Sequence, residues 1–288
     1  MSVNWYPGHM HKARKKMKEA MPSIDVVIEV LDARIPYSSS NPLVTELRQD
    51  RPSIKILNKM DLADPVVTEQ WLSYFEREDG VKAIPFSTIG KQKKADVKRI
   101  FELCKRLAPN RNKEYKPVRT MIMGIPNVGK STLINMLAGK NIAQTGNEPA
   151  VTKSQQKIRL DNSILLSDTP GILWPRMNDN QCGYRLAVTG AVKNTAIEFE
   201  DIAMFAADYL LKAYPQQLMQ RFKLKEICNT AEELLVEVGK KRGGLRAGGI
   251  IDMHKASEVL LHDLREGSLG RISLETPDMI GEAVEESE

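Results

Sequence analysis

The sequence predicts an α/β fold, a mostly parallel sheet with helices on both faces, followed by an all-helical C-terminal region. Three observations predict it. Short apolar runs alternate with helical stretches from Asp25 to Asp168, as β-α-β units do. One run leads into Gly124-Ile125-Pro126-Asn127-Val128-Gly129-Lys130-Ser131, a turn of the form G-x-x-x-x-G-K-S that needs a strand before it and a helix after it. Beyond about residue 178 the strand signal stops and helical periodicity remains.

The elements follow in order. A basic helix near 9–20 precedes the apolar strand Asp25 to Leu31, which ends in Asp32-Ala33-Arg34. Strand 54–57, helix 66–77, strand 82–86 and helix 94–107 alternate after it. Asn110 to Lys116 is a polar linker. Strand 119–123 delivers the glycine-rich turn, helix 131–137 leaves it, and strands 156–160 and 163–168 complete the sheet. In the helical remainder, Phe199, Ile202, Ala203, Phe205, Ala206 and Leu210 fall on one face. Thr230-Ala231-Glu232-Glu233 is a capping box opening a helix that Gly239 should stop, and Asp252 caps a last helix closed by Gly267.

The glycine-rich turn is a P-loop. Its backbone N–H groups and the following helix N-terminus suit phosphate oxygens. Gly129, Lys130, Ser131 and the flanking Val128 and Thr132 would hold the phosphates, with Lys130 on the β- and γ-phosphates and the Ser131 hydroxyl on Mg²⁺. Asp168-Thr169-Pro170-Gly171 ends a strand 37 residues after Ser131. It reads as D-x-x-G, Asp168 holding Mg²⁺ through water and the Gly171 N–H meeting the γ-phosphate. Between them Thr152 suits the loop that closes over Mg²⁺, with Thr145 as its rival.

A second motif, Asn58-Lys59-Met60-Asp61, reads as N-K-x-D. Asp61 accepts from the ring N–H and the exocyclic amine of guanine. Adenine would leave that carboxylate unpaired, and a site built on such bonds discriminates by roughly 10⁴–10⁵. Lys59 would lay its stem along the base and the glycine turn. Ser87 and Thr88, at the end of the next strand, occupy the place of a loop that buttresses guanine. The order is unusual: N-K-x-D precedes the P-loop by 63 residues, counted from Asp61 to Gly124. The parts of a GTP site are present in rotated sequence. A sheet tolerates this, because its ligand site is built from strand ends rather than chain order.

That order, with Trp5-Tyr6-Pro7-Gly8-His9-Met10 and Asp32-Ala33-Arg34-Ile35-Pro36, resembles the circularly permuted GTPases, in particular the bacterial YlqF-type family of ribosome biogenesis. The resemblance covers nearly the whole chain except its last dozen residues. It implies a GTPase, slow alone and stimulated by the ribosomal subunit, acting in late maturation of the large ribosomal subunit. Its partners would be the subunit precursor and its rRNA, bound in the GTP state and released on hydrolysis. It implies that His9 serves catalysis and that Asn127 helps hold K⁺, for Ile172 stands where many GTPases place a water-orienting glutamine. Asp32 and Arg34 could couple the arm to the nucleotide. The loop after Gly171 would join the γ-phosphate sensor directly to the helical domain.

The resulting division is a basic arm at 1–20, a circularly permuted GTPase domain at 21–177, a helical, RNA-binding domain at 178–276 and an acidic, disordered tail at 277–288. Net charge is +5, and basic residues cluster at 12–18, 91–99 and 240–246, as an RNA partner would favour. Cys104, Cys182 and Cys228 are far apart, which fits a reducing cytoplasm without disulfides or a zinc site. No signal peptide or membrane span is legible, and a monomer is expected. Two other readings stay open on the sequence: a GTPase of another RNA process such as RNA modification, and a non-catalytic RNA-binding scaffold that senses GTP.

Overall fold

A computed structural model describes residues 7–89, 93–111, 116–143, 157–161, 163–168, 180–192, 199–244 and 249–280. Helix α1 (Pro7–Ala20) is followed by strand β1 (Val26–Asp32), short helices α2 (Pro36–Ser39) and α3 (Pro42–Arg48), and strand β2 (Ser53–Asn58). Helix α4 (Pro65–Phe75), strand β3 (Val81–Pro85) and helix α5 (Lys93–Leu107) complete the first half of the sheet domain. Strand β4 (Val118–Met123), helix α6 (Lys130–Ala138) and strands β5 (Lys157–Asp161) and β6 (Ile164–Asp168) form the second. Helices α7 (Asn180–Val188), α8 (Phe199–Ala213), α9 (Pro215–Phe222), α10 (Ala231–Lys241) and α11 (Met253–Arg265) follow.

The six strands lie in the order β3-β2-β1-β4-β6-β5. All neighbours are parallel except β5 against β6. The central strands are apolar because helices cover both faces. Every residue of β1 is buried, including Glu29, whose carboxylate meets Lys55 Nζ at 2.7 Å inside the sheet. The parallel register puts Asp32 beside Asn58 and Ile122 beside Asp168. The carboxyl ends of β1, β2, β4 and β6 therefore share one edge, where open α/β sheets carry their ligands.

The helices end where the local chemistry directs. Asp64 caps α4 by accepting from Val66 N and Val67 N, with Pro65 in the first turn. The capping box at α10 forms as expected, Thr230 Oγ1 accepting from Glu233 N at 3.1 Å, while the Glu233 carboxylate reaches Asn229 N. Gly239 does not stop that helix, which continues to Lys241. It is a glycine of close approach: a Cβ there would stand 2.7 Å from Ile251 Cγ2, on the segment returning to α11. Packing, not a left-handed cap, selects glycine at 239.

One apolar cluster runs from the sheet through α6 into α8, α10 and α11, so the helical part shares its core with the sheet part. Met17 of α1 packs with Val27, Met121 and Met123 beneath the sheet, anchoring the basic helix while Arg14, Lys15, Lys16 and Lys18 face solvent. Ile280 is buried beside Trp71 and Phe75 of α4, so the chain returns to the sheet domain after α11. Of the tail expected at 277–288, residues 277–280 are described and include buried Ile280, and 281–288 lie outside the described residues.

Candidate functional site

Strand β4 delivers the P-loop and α6 carries it away. Asn127 adopts φ +61°, and Gly129, at φ +91°, precedes the first helical residue. A Cβ at Gly129 would stand 2.2 Å from Asn58 Nδ2, so only glycine lets the two motifs touch here. Asn58 donates its amide to the Val128 carbonyl at 2.6 Å. That contact fixes the orientation of the amide, since a carbonyl needs a donor. It leaves Asn58 Oδ1 buried with no hydrogen-bond partner among the described residues, an acceptor placed for a ligand.

Lys59 also joins the motifs. Its ammonium donates to the Asn127 carbonyl at 2.8 Å and to Asp32 Oδ2 at 2.9 Å. Asp32 receives a two-pronged contact from Arg34, Nε on Oδ1 at 2.9 Å and Nη2 on Oδ2 at 2.8 Å. Burial pushes the Asp32 carboxyl up, but the Arg34 and Lys59 charges and their hydrogen bonds outweigh it and hold it well below the usual carboxylate range. Burial pulls the Lys59 ammonium down, and Asp32 only partly restores it.

Asp61 follows Met60, whose N–H donates to the Phe86 carbonyl. Ser87 Oγ donates to Asp61 Oδ1 at 2.5 Å and accepts from Ile89 N. Ser87 thus contacts Asp61, and Thr88 lies next to it, half-buried. Lys130 is largely buried at the start of α6, Ser131 is half-buried and Thr132 is exposed. Asp168 ends β6 at the same sheet edge as the P-loop, although its side chain lies outside the described residues. Thr152, Thr145, Gly171 and Ile172 lie outside them altogether. His9 is in the first turn of α1, its side chain likewise outside.

Several contacts at this site reach residues outside the motifs. Asn127 Nδ2 donates to the Gly190 carbonyl at 2.9 Å, tying the P-loop to the end of α7. Arg265 donates to Val188 O and Ala187 O, both at 2.8 Å, at that same helix end. The Arg34 carbonyl accepts from Leu274 N, and Glu275 accepts from Tyr37 N, Ser38 N and Ser38 Oγ. Besides each other, Asp32 meets Lys59 and Ser39, and Arg34 meets the segment that carries Leu274. Nothing local in the sequence marks the contacts of Asn127, Arg265, Leu274 and Glu275, since they join residues more than 60 positions apart. Among the described residues no three His, Cys, Asp or Glu side chains gather as a metal site, and none of the three cysteines is in a disulfide. No described helix is long and apolar enough to cross a membrane.

A family model described as 50S ribosome-binding GTPase matches residues 119–241. The chain is 46% identical over 295 residues to ribosome biogenesis GTPase A of Bacillus cereus, spanning 100% of this chain and 98% of that one. It is 31% identical to ribosome biogenesis GTPase A of Thermotoga maritima over 279 residues, 96% of each chain. The crystal structure of GNP-bound YlqF from T. maritima superposes with a TM-score of 0.64 at 26% identity, covering 92% of this chain and 98% of the other.

Proposed function

Because the chain belongs to the ribosome biogenesis GTPase A family, whose activity is GTP hydrolysis in ribosome biogenesis, we propose that it is a maturation factor of the large ribosomal subunit. It binds the subunit precursor and its rRNA in its GTP state in the cytoplasm, as a monomer, and hydrolysis releases it. The observation that carries the reading is the meeting of Lys59 with the Asn127 carbonyl and of Asn58 with the Val128 carbonyl. A guanine-selecting motif and a phosphate loop separated in sequence form one site.

In this site Asp61, held by Ser87 with Thr88 alongside, reads the guanine edge. Val128, Gly129, Lys130, Ser131 and Thr132 cradle the phosphates from the P-loop and the start of α6, and Gly171 contacts the γ-phosphate. The Ser131 hydroxyl and Thr152, with the Asp168 carboxylate through water, would hold Mg²⁺, an ion that takes few protein oxygens. Bound Mg²⁺ would neutralise charge on the β- and γ-phosphates. The Asn127 amide nitrogen is engaged by Gly190, so its oxygen is the atom suited to K⁺. His9, on the basic helix, supplies the water-orienting function that Ile172 lacks once a subunit is bound. The helical region, with Lys240, Lys241 and Arg242 at the end of α10, meets RNA.

Co-sedimentation with purified ribosomal subunits tests the reading. The protein should pellet with large subunits when loaded with a non-hydrolysable GTP analogue and stay in solution with GDP. Equal sedimentation in both states, or a preference for small subunits, overturns it.

A further inference from the structure

The segment after α11 does more than close the helical part. Three consecutive residues bond to the loop that carries Asp61. Arg271 Nη2 donates to Met60 O at 3.2 Å, Ile272 N donates to Leu62 O at 2.8 Å, and Ser273 Oγ accepts from Asp64 N at 3.2 Å. The bonded positions, 60, 62 and 64, alternate along the loop and bracket Asp61. The next residue, Leu274, donates its N–H to the Arg34 carbonyl, and Arg34 holds the Asp32 carboxylate that receives Lys59. The segment is pinned beyond this point: the Glu275 carbonyl accepts from Trp71 Nε1 at 3.1 Å, and Arg185 Nε donates to Leu274 O at 3.1 Å. On its helical side, Ser273 N donates to the Tyr214 hydroxyl, which itself donates to Asp64 Oδ2.

We propose that residues 271–273 form a clamp that sets guanine specificity by fixing the backbone on both sides of Asp61. The proposal rests on Asp61 as the guanine reader. A carboxylate that must accept two parallel hydrogen bonds tolerates little displacement, and a misplacement near 1 Å can cost about 100-fold. Fixing the flanking carbonyls is an efficient way to hold it, because Asp61 itself must stay open to the base. Arg271, Ile272 and Ser273 are positioning residues: they act through Met60, Leu62 and Asp64. Their place directly after α11 makes the helical region a structural part of the base site.

The test compares GDP with IDP, which lacks the exocyclic amine that Asp61 reads. Fluorescent-nucleotide competition should give wild type a clear preference for GDP. In Arg271→Ala and in Arg271→Ala/Ser273→Ala that preference should fall, by about tenfold in the double variant, with Arg271→Lys restoring it. Leu260→Ala, in the helical core, lowers stability and should leave the GDP/IDP ratio unchanged, which separates positioning from mere support. Arg271 is exposed, so its single variant reports even where Ser273→Ala fails to fold. An unchanged ratio in Arg271→Ala and in every folded clamp variant, with wild type discriminating, overturns the clamp alone. A wild type that does not discriminate overturns the guanine reading and the clamp with it.

Discussion

The Lys59 ammonium lies 2.8 Å from the carbonyl oxygen of Asn127. This bond crosses the sheet edge from β2 to the P-loop and joins motifs that the chain presents in rotated order. Lys59 stands at φ +61° to make it, an uncommon backbone state for a residue other than glycine. Asp32 takes a second proton of the same ammonium.

Lys59→Met keeps an apolar stem and removes both hydrogen bonds. Affinity for GDP and GTP should fall together by about tenfold or more, as expected for a lost charge-assisted bond of about 1.5–3 kcal/mol. Isothermal titration measures it; unchanged affinity would mean that the P-loop holds its shape without Lys59.

Asp61→Asn exchanges an acceptor for an amide that also donates. Preference should move from GTP towards xanthosine triphosphate, whose ring carries an oxygen where guanine carries the amine. Competition binding reads the ratio. Equal loss of both nucleotides would remove Asp61 from base recognition.

Asp32→Asn leaves the Arg34 guanidinium buried without its carboxylate. Breaking a buried pair from one side costs about 3–5 kcal/mol, measured by urea unfolding at pH 7. The folded Asp32 titrates far below its unfolded value of about 3.9. Its contribution is therefore complete above that unfolded value and is lost as pH falls towards the folded one. The gap between wild type and variant should stay constant from about pH 5 to pH 8 and narrow only below about pH 4. A gap that closes near neutrality would contradict the assignment.

Gly129→Ala places a Cβ against Asn58 Nδ2 in a left-handed backbone conformation. Nucleotide binding should be lost or fall by orders of magnitude while circular dichroism is retained, since the collision lies at the site and not in the core. Wild-type affinity in this variant would show that the loop rearranges freely.

His9→Ala should retain GTP binding, which rests on Lys130 and Asp61, and lose most of any stimulation by large subunits. A positioned acid, base or water-orienting group is worth about 10²–10⁴ in rate. Single-turnover hydrolysis with subunits present, at matched nucleotide occupancy, decides; equal rates would transfer the activating role to the subunit or to K⁺ near Asn127.

Much of this protein was legible along the chain. Apolar runs and period-3.6 patterns placed the strands and the longer helices close to their observed ends because burial acts on contiguous residues, while the short helices α2, α3 and α9 gave no such signal. Gly129-Lys130-Ser131 and Asn58-Lys59-Met60-Asp61 were legible because each is a contiguous motif. Gly239 misled, since a glycine that ends a helix and one that admits Ile251 look alike in sequence. What only the tertiary structure decided is everything made by residues distant in the chain. Lys59 reaches Asp32, Asn127 reaches Gly190, and Arg271, Ile272 and Ser273 return from the end of the helical region to bracket Asp61. Apart from the Lys59–Asp32 pair, these bonds engage backbone groups that every residue carries, so no side-chain pattern announces them. The parallel register, the packing of α8, α10 and α11, and the course of the segment after α11 determine which of those groups meet.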